Sequence, residues 1–85
     1  MPLGPEFTTH ALKRARERYY NMARKSDKSL RKLLTAVILF SVESGSDPNG
    51  NVFLWGHYQG GPIKLVVDPA TGCVVTIINP LEALL

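Results

Sequence analysis

Apolar residues recur at helical spacing from residue 11 onward. Ala11, Leu12, Ala15, Tyr19, Met22 and Ala23 fall within an arc of about 120° when the chain is wound at roughly 100° per residue. Thr8 or Thr9 supplies a capping hydroxyl, so the pattern predicts a helix over residues 10–25. His10, Arg14, Arg18, Asn21 and Lys25 form a polar band beside the apolar stripe. Within it His10, Arg14 and Arg18 stand at i, i+4 and i+8, one above the other. Ser26-Asp27 interrupts the pattern and can cap a second helix. Leu30, Leu33 and Leu34 then give one or two further amphipathic turns.

The period changes near Val37. Residues 37–44, 51–58, 63–67 and 73–78 are rich in β-branched and aromatic side chains and predict four strands. They are separated by the turn sequences GSDPNG (residues 45–50), QGGP (59–62) and DPATG (68–72). Parallel neighbours need crossovers of about a dozen residues or more, so links this short specify antiparallel pairing. The expected fold is α+β, with one or two N-terminal helices packed on a three- to four-stranded antiparallel meander sheet. The last two strands are apolar on both faces, so the face away from the helices needs cover from the tail, a twist or a partner chain. Residues 8–80 form the expected single domain. Residues 81–85 form a short apolar tail whose Leu81, Leu84 and Leu85 suit one docked helical turn.

Length and composition narrow the class. Eighty-five residues with 45% apolar content fit one small globular domain rather than a disordered chain. Cys73 is the only cysteine, which excludes an intrachain disulfide and a cysteine-based zinc site. A lone thiol in an apolar run suits a buried position in a reducing cytoplasm. No run approaches the roughly 18–20 apolar residues of a membrane span, and no signal-peptide pattern opens the chain. Residues 1–7 (MPLGPEF) read as a protease-site remnant and a restriction-site scar, and are expected to lie outside the fold.

The charge is unevenly placed. Residues 8–32 carry Lys13, Arg14, Arg16, Arg18, Arg24, Lys25, Lys28, Arg31 and Lys32 against Glu17 and Asp27, a net +7. The rest of the chain carries one base and five acids, a net −4. Such a division creates a directed field and points to an anionic partner for the N-terminal half. A solvated helix face is the plain alternative.

No glycine fingerprint, phosphate loop or metal motif is present, so no cofactor and no metal is expected. What remains suits RNA backbone cleavage without metal. That reaction needs a base, an acid and cations for the crowded phosphate. An imidazole titrates near neutrality, which makes His10 the first acid–base candidate and His57 the second. Arg14 and Arg18 can grip phosphate oxygens, and Thr76 can donate a hydroxyl. Lys13, Arg16, Arg24, Lys25, Lys28, Arg31 and Lys32 are candidate backbone contacts. Trp55 and Tyr58, with Tyr19 and Tyr20, offer faces for base stacking, and His57 is a further candidate contact beside them. Structural roles compete at several of these positions. Tyr19 lies in the middle of the apolar stripe, and His57, Thr76 and Trp55 fit ordinary sheet packing.

The run Thr9-His10-Ala11-Leu12-Lys13-Arg14-Ala15-Arg16-Glu17-Arg18 resembles the HA-x-x-R-x-x-x-R opening of a family of short bacterial and phage toxin-type proteins. Pro62-Ile63-Lys64-Leu65-Val66-Val67-Asp68 and Cys73-Val74-Val75-Thr76-Ile77-Ile78 resemble the closing hairpin of that family. The likeness spans residues 9–80. The family is grouped with the small metal-independent RNases that include barnase, the RelE toxins and the colicin tRNA nucleases. It implies N-terminal helices on an antiparallel sheet, a catalytic or phosphate-binding role for His10 with Arg14 or Arg18, and Thr76 as a late hydroxyl. The basic second helix and the open polar turn at residues 45–50 depart from its pattern.

Two functions follow. One is a toxin-type effector acting on RNA in the bacterial cytoplasm. The other is a non-enzymatic phage-type host-takeover factor whose basic helix meets an acidic surface of a host protein such as RNA polymerase. DNA binding by the helix pair is weaker, because a β-meander is not the usual surrounding of a helix-turn-helix. The spatial relation of His10, Arg14, Arg18 and Thr76 discriminates: convergence in one cleft favours cleavage, separation by the sheet favours a binding module.

Overall fold

Thr8 is the residue at which strand becomes helix. In the computed structural model, which describes residues 6–82, its side chain accepts from the Ala11 amide at 2.9 Å and starts helix α1 (Thr9–Arg18). The same hydroxyl donates to the Val75 carbonyl at 3.2 Å, and the Thr8 amide donates to the Val74 carbonyl at 3.1 Å. One residue therefore caps the helix and ties it to the sheet.

α1 is shorter than its apolar periodicity predicts. Tyr19 leaves helical geometry at φ −131°, and the chain re-forms a single 3₁₀ turn at Tyr20–Met22. Tyr19 is buried, and its hydroxyl donates to the Pro62 carbonyl at 2.8 Å. Its ring meets Tyr58 edge-on at 5.8 Å between centroids. A continuous helix over residues 10–25 would forfeit this anchorage. Burial pushes the Tyr19 hydroxyl well above its usual range, with Glu82 adding to the effect and Arg18 opposing it, so it acts as a neutral donor.

α2 (Asp27–Leu39) is longer than expected. Ser26 caps it by accepting from the Ser29 amide at 3.2 Å. The helix runs through Val37, which strand propensity assigns to a strand. Leu30, Leu34 and Val37 continue the i, i+4, i+7 stripe, and their burial outweighs the weak preference of β-branched residues for strands.

The strands β1 (Glu6–Phe7), β2 (Val42–Ser46), β3 (Val52–Tyr58), β4 (Gly61–Asp68) and β5 (Cys73–Ile78) form one sheet in the order β1-β5-β4-β3-β2. The class is α+β, as the chain pattern predicts. The sheet is five-stranded and mixed rather than a three- to four-stranded antiparallel meander, because β1 runs parallel to β5. The reason lies in the segment expected outside the fold: Glu6 and Phe7 pair with Cys73 and Val74, and Phe7 joins the core.

The helices cover one face. Leu54, Ile63, Leu65, Val74 and Ile77 point toward them. Val74 and Ile77 are three residues apart and would lie on opposite faces of a regular strand. A β-bulge in the β4–β5 register, between Val66/Val67, turns both inward. It accounts for part of the two-sided apolar pattern. On the other face Val66 is 4% exposed, between its partners Phe53 and Thr76, and the Lys64 ammonium stands 4.1 Å from the centre of the Phe53 ring. Leu81 is half exposed, while Leu84 and Leu85 lie outside the described residues.

Gly56 sets how close α2 comes to the sheet. A Cβ built there would stand 2.9 Å from Val37 Cγ1, inside normal contact distance. Gly56→Ala is expected to cost about 1–3 kcal/mol of stability, read as a lower urea midpoint at unchanged slope. An unchanged midpoint would mean that α2 is not pressed on β3 at this point.

Candidate nucleic-acid interface

α1 lies over β5 and α2 over β3, so each flank of α1 faces a different neighbour. Arg16 reaches toward α2: its guanidinium donates to the Lys25 carbonyl at 3.1 Å and to the Asp27 carboxylate. On the helical wheel Arg14 and Arg18 fall on the opposite flank. The line His10–Arg14–Arg18 therefore runs along the side of α1 nearer the β1 edge of the sheet.

Along that line the side chains are linked. Arg14 Nε donates to His10 Nε2 at 3.4 Å, and Arg14 Nη1 pairs with Glu17 Oε1 at 2.9 Å. Glu17 is the residue that sequence reasoning passed over. Its signal was its place three residues after Arg14, where a helix brings side chains together. The Arg18 carbonyl accepts from Asn79 Nδ2 at 3.2 Å, which anchors the end of α1, while no carboxylate pairs with its guanidinium among the described residues.

The other bases spread over the same layer. Lys13, Arg24, Lys28, Arg31 and Lys32 are exposed and Lys25 is half-buried. None has a carboxylate within ion-pair distance among the described residues. Lys28 and Lys32 stand on the outward line of α2, which ends at Leu39. Arg16, expected as a contact for a partner, instead clamps the link between the helices.

Thr76 does not join this group. It pairs with Val66, while its neighbour Ile77 pairs with Leu65 in the core, so Thr76 faces away from the helices. His57 and Trp55 alternate with the inward positions Leu54, Gly56 and Tyr58 and lie on that far face too. Tyr58 is on the helix side, packed against Tyr19. The sheet thus separates His10, Arg14 and Arg18 from Thr76, and one histidine from the other. The four-residue cleavage constellation does not converge in a cleft.

Beyond the end of α1 the 3₁₀ turn opens a hollow of about 270 Å³ lined by Tyr20, Asn21, Ala23 and Arg24. Among the described residues no group of three or more His, Cys, Asp or Glu could hold a metal ion, and no helix is long and apolar enough to cross a membrane. Comparison of the chain with family models, curated proteins and solved structures finds no match.

The Arg16 clamp has a pH signature. The hydrogen bond from Arg16 holds the Asp27 carboxyl below its usual range. A depressed carboxyl stabilises the fold above its unfolded pKa of about 3.9, and the stabilisation is lost as pH falls through the folded value. The wild type should therefore exceed Asp27→Asn in urea midpoint at neutral pH, with the gap closing below about pH 4. A gap that does not change with pH would remove the carboxylate from the account.

Proposed function

We propose that this chain is a small toxin-type effector that binds RNA through its helical layer, in the cytoplasm of a bacterial host. One observation carries the reading: seven of the nine bases in residues 8–32 have no carboxylate partner among the described residues, and all seven belong to the helices and their link. Unpaired, solvated cations can release counterions from a phosphate backbone on contact. Four residues of helix advance about 6 Å, so the line His10–Arg14–Arg18 offers successive groups at a step near that of successive phosphates.

Binding, rather than cleavage, is what this arrangement supports by itself. An acid, a base and a cation must reach one phosphodiester together. Thr76 and His57 lie across the sheet from His10. The acid–base pair on the helical side is His10 with Glu17, bridged by Arg14. Cleavage at this surface would draw on those three and not on Thr76.

A second reading has its own support. The outward line of α2 passes from Lys28 and Lys32 to Leu39, followed by Phe40 and Val42, which are 75%, 80% and 64% exposed in that order. Cations beside large apolar anchors also suit an acidic protein surface, such as one on a host RNA polymerase.

Fluorescence anisotropy with a labelled single-stranded RNA tests the proposal. Affinity should fall with salt at a log–log slope of about −0.7 per neutralised phosphate. The triple variant Arg18→Glu, Lys28→Glu, Arg31→Glu should bind at least about tenfold more weakly at about 0.1 M salt, whereas Trp55→Ala should bind as wild type. Absence of RNA binding at low salt, with a stoichiometric polymerase complex recovered instead, would replace this reading with the second.

A further inference from the structure

The inward turn of Tyr19 throws the next residue outward. Tyr20 is 87% exposed, the most exposed of the large hydrophobic residues described, and it borders the hollow at the end of α1. Ala23, with its small side chain, leaves the hollow open. Arg24 also lines it, and no carboxylate pairs with its guanidinium among the described residues. Asn21 forms the remaining wall and is held in place: its amide donates to Gln59 at the tip of the β3–β4 hairpin. Gln59 sits at φ +51° and Gly60 at φ +80°, the paired left-handed geometry of a tight hairpin. A non-glycine residue seldom adopts that geometry. The hairpin tip therefore meets the 3₁₀ turn through a side-chain contact that steadies the hollow.

Position and size define what fits. The hollow begins two residues beyond Arg18, where the line His10–Arg14–Arg18 ends. Its volume of about 270 Å³ is below the roughly 300–1,000 Å³ of ligand pockets, so it suits one ring system rather than a whole cofactor. An exposed phenol ring, an amide and an unpaired guanidinium are the groups that recognise a base by stacking, by hydrogen bonds to its edge and by contact with its phosphate.

We propose that this hollow takes a single unpaired nucleobase of the bound RNA, stacked on Tyr20, with Arg24 on the adjoining phosphate. The inference rests on the RNA-binding reading and adds a base-recognising site to a surface that otherwise meets only the backbone.

Two short RNAs of equal length and charge test it, one with bases and one with an abasic ribose-phosphate backbone, titrated by anisotropy against wild type, Tyr20→Ala, Tyr20→Trp and Arg24→Gln. Circular dichroism checks that each variant is folded, as the exposure of both side chains leads one to expect. Wild type should prefer the base-containing strand by about tenfold, the scale of one aromatic–base stack. Tyr20→Ala should bring that strand down to the abasic level, Tyr20→Trp should keep the preference, and Arg24→Gln should weaken both strands alike. Equal wild-type binding of the two strands, or an undiminished preference in Tyr20→Ala, overturns the base site while leaving the RNA reading intact. Failure of wild type to bind either strand overturns both.

Discussion

Helix α1 is tied to the sheet by hydrogen bonds at both of its ends, Thr8 and Tyr19. At one end the Thr8 hydroxyl caps α1 and donates to the Val75 carbonyl. At the other, the Tyr19 hydroxyl donates to the Pro62 carbonyl and Asn79 holds the Arg18 carbonyl. Between them Ala11 and Ala15, both fully buried, let the helix lie close on β5. A short helix with small residues beneath it gains little from burial alone. Pins at both ends fix its rotation about its axis. That rotation decides which side chains meet solvent: His10, Arg14 and Arg18 on one flank, Arg16 toward α2 on the other. The same anchorage ejects Tyr20 and opens the hollow beside Arg24.

The molecule is divided by its sheet. The helical layer carries the unpaired bases. The far face is a half-covered apolar surface of Phe53, Trp55 and Ile78 around the buried Val66, broken by Lys64 over the Phe53 ring. Among the described residues the cations are concentrated on the first, with Lys64 alone on the second. This division turns a net charge of +3 into a surface with a direction. It also separates the residues that a hydrolytic reading would need together.

Local chemistry was legible in the chain where it is decided locally. The hydroxyl caps, the three turn sequences and the alternation of β3 follow from side chains within a few positions of each other. Features decided by distant contacts were not. Val37 reads as a strand residue until Gly56 provides room for it on α2. Tyr19 reads as mid-helix until the Pro62 carbonyl is known to lie within reach. Phe7 reads as a remnant until β5 is seen to lack a neighbour on that side. The candidate site divides the same way. The line His10–Arg14–Arg18 follows from helical spacing alone. The side of the sheet that Thr76 occupies depends on the bulge in the β4–β5 register and on pairing with β4, neither of which a both-faces-apolar run reveals.

The central claim is that α1 is held so that RNA meets the helical layer and not the open sheet face. Backbone amide chemical shifts, followed by NMR as a short single-stranded RNA is added, test it most directly. The account predicts shifts grouped at His10, Arg14, Arg18, Tyr20, Arg24 and the first half of α2, with Phe53, Trp55, Lys64 and Thr76 unmoved. Shifts centred on Trp55, His57 and Thr76 would place the partner on the far face and contradict it.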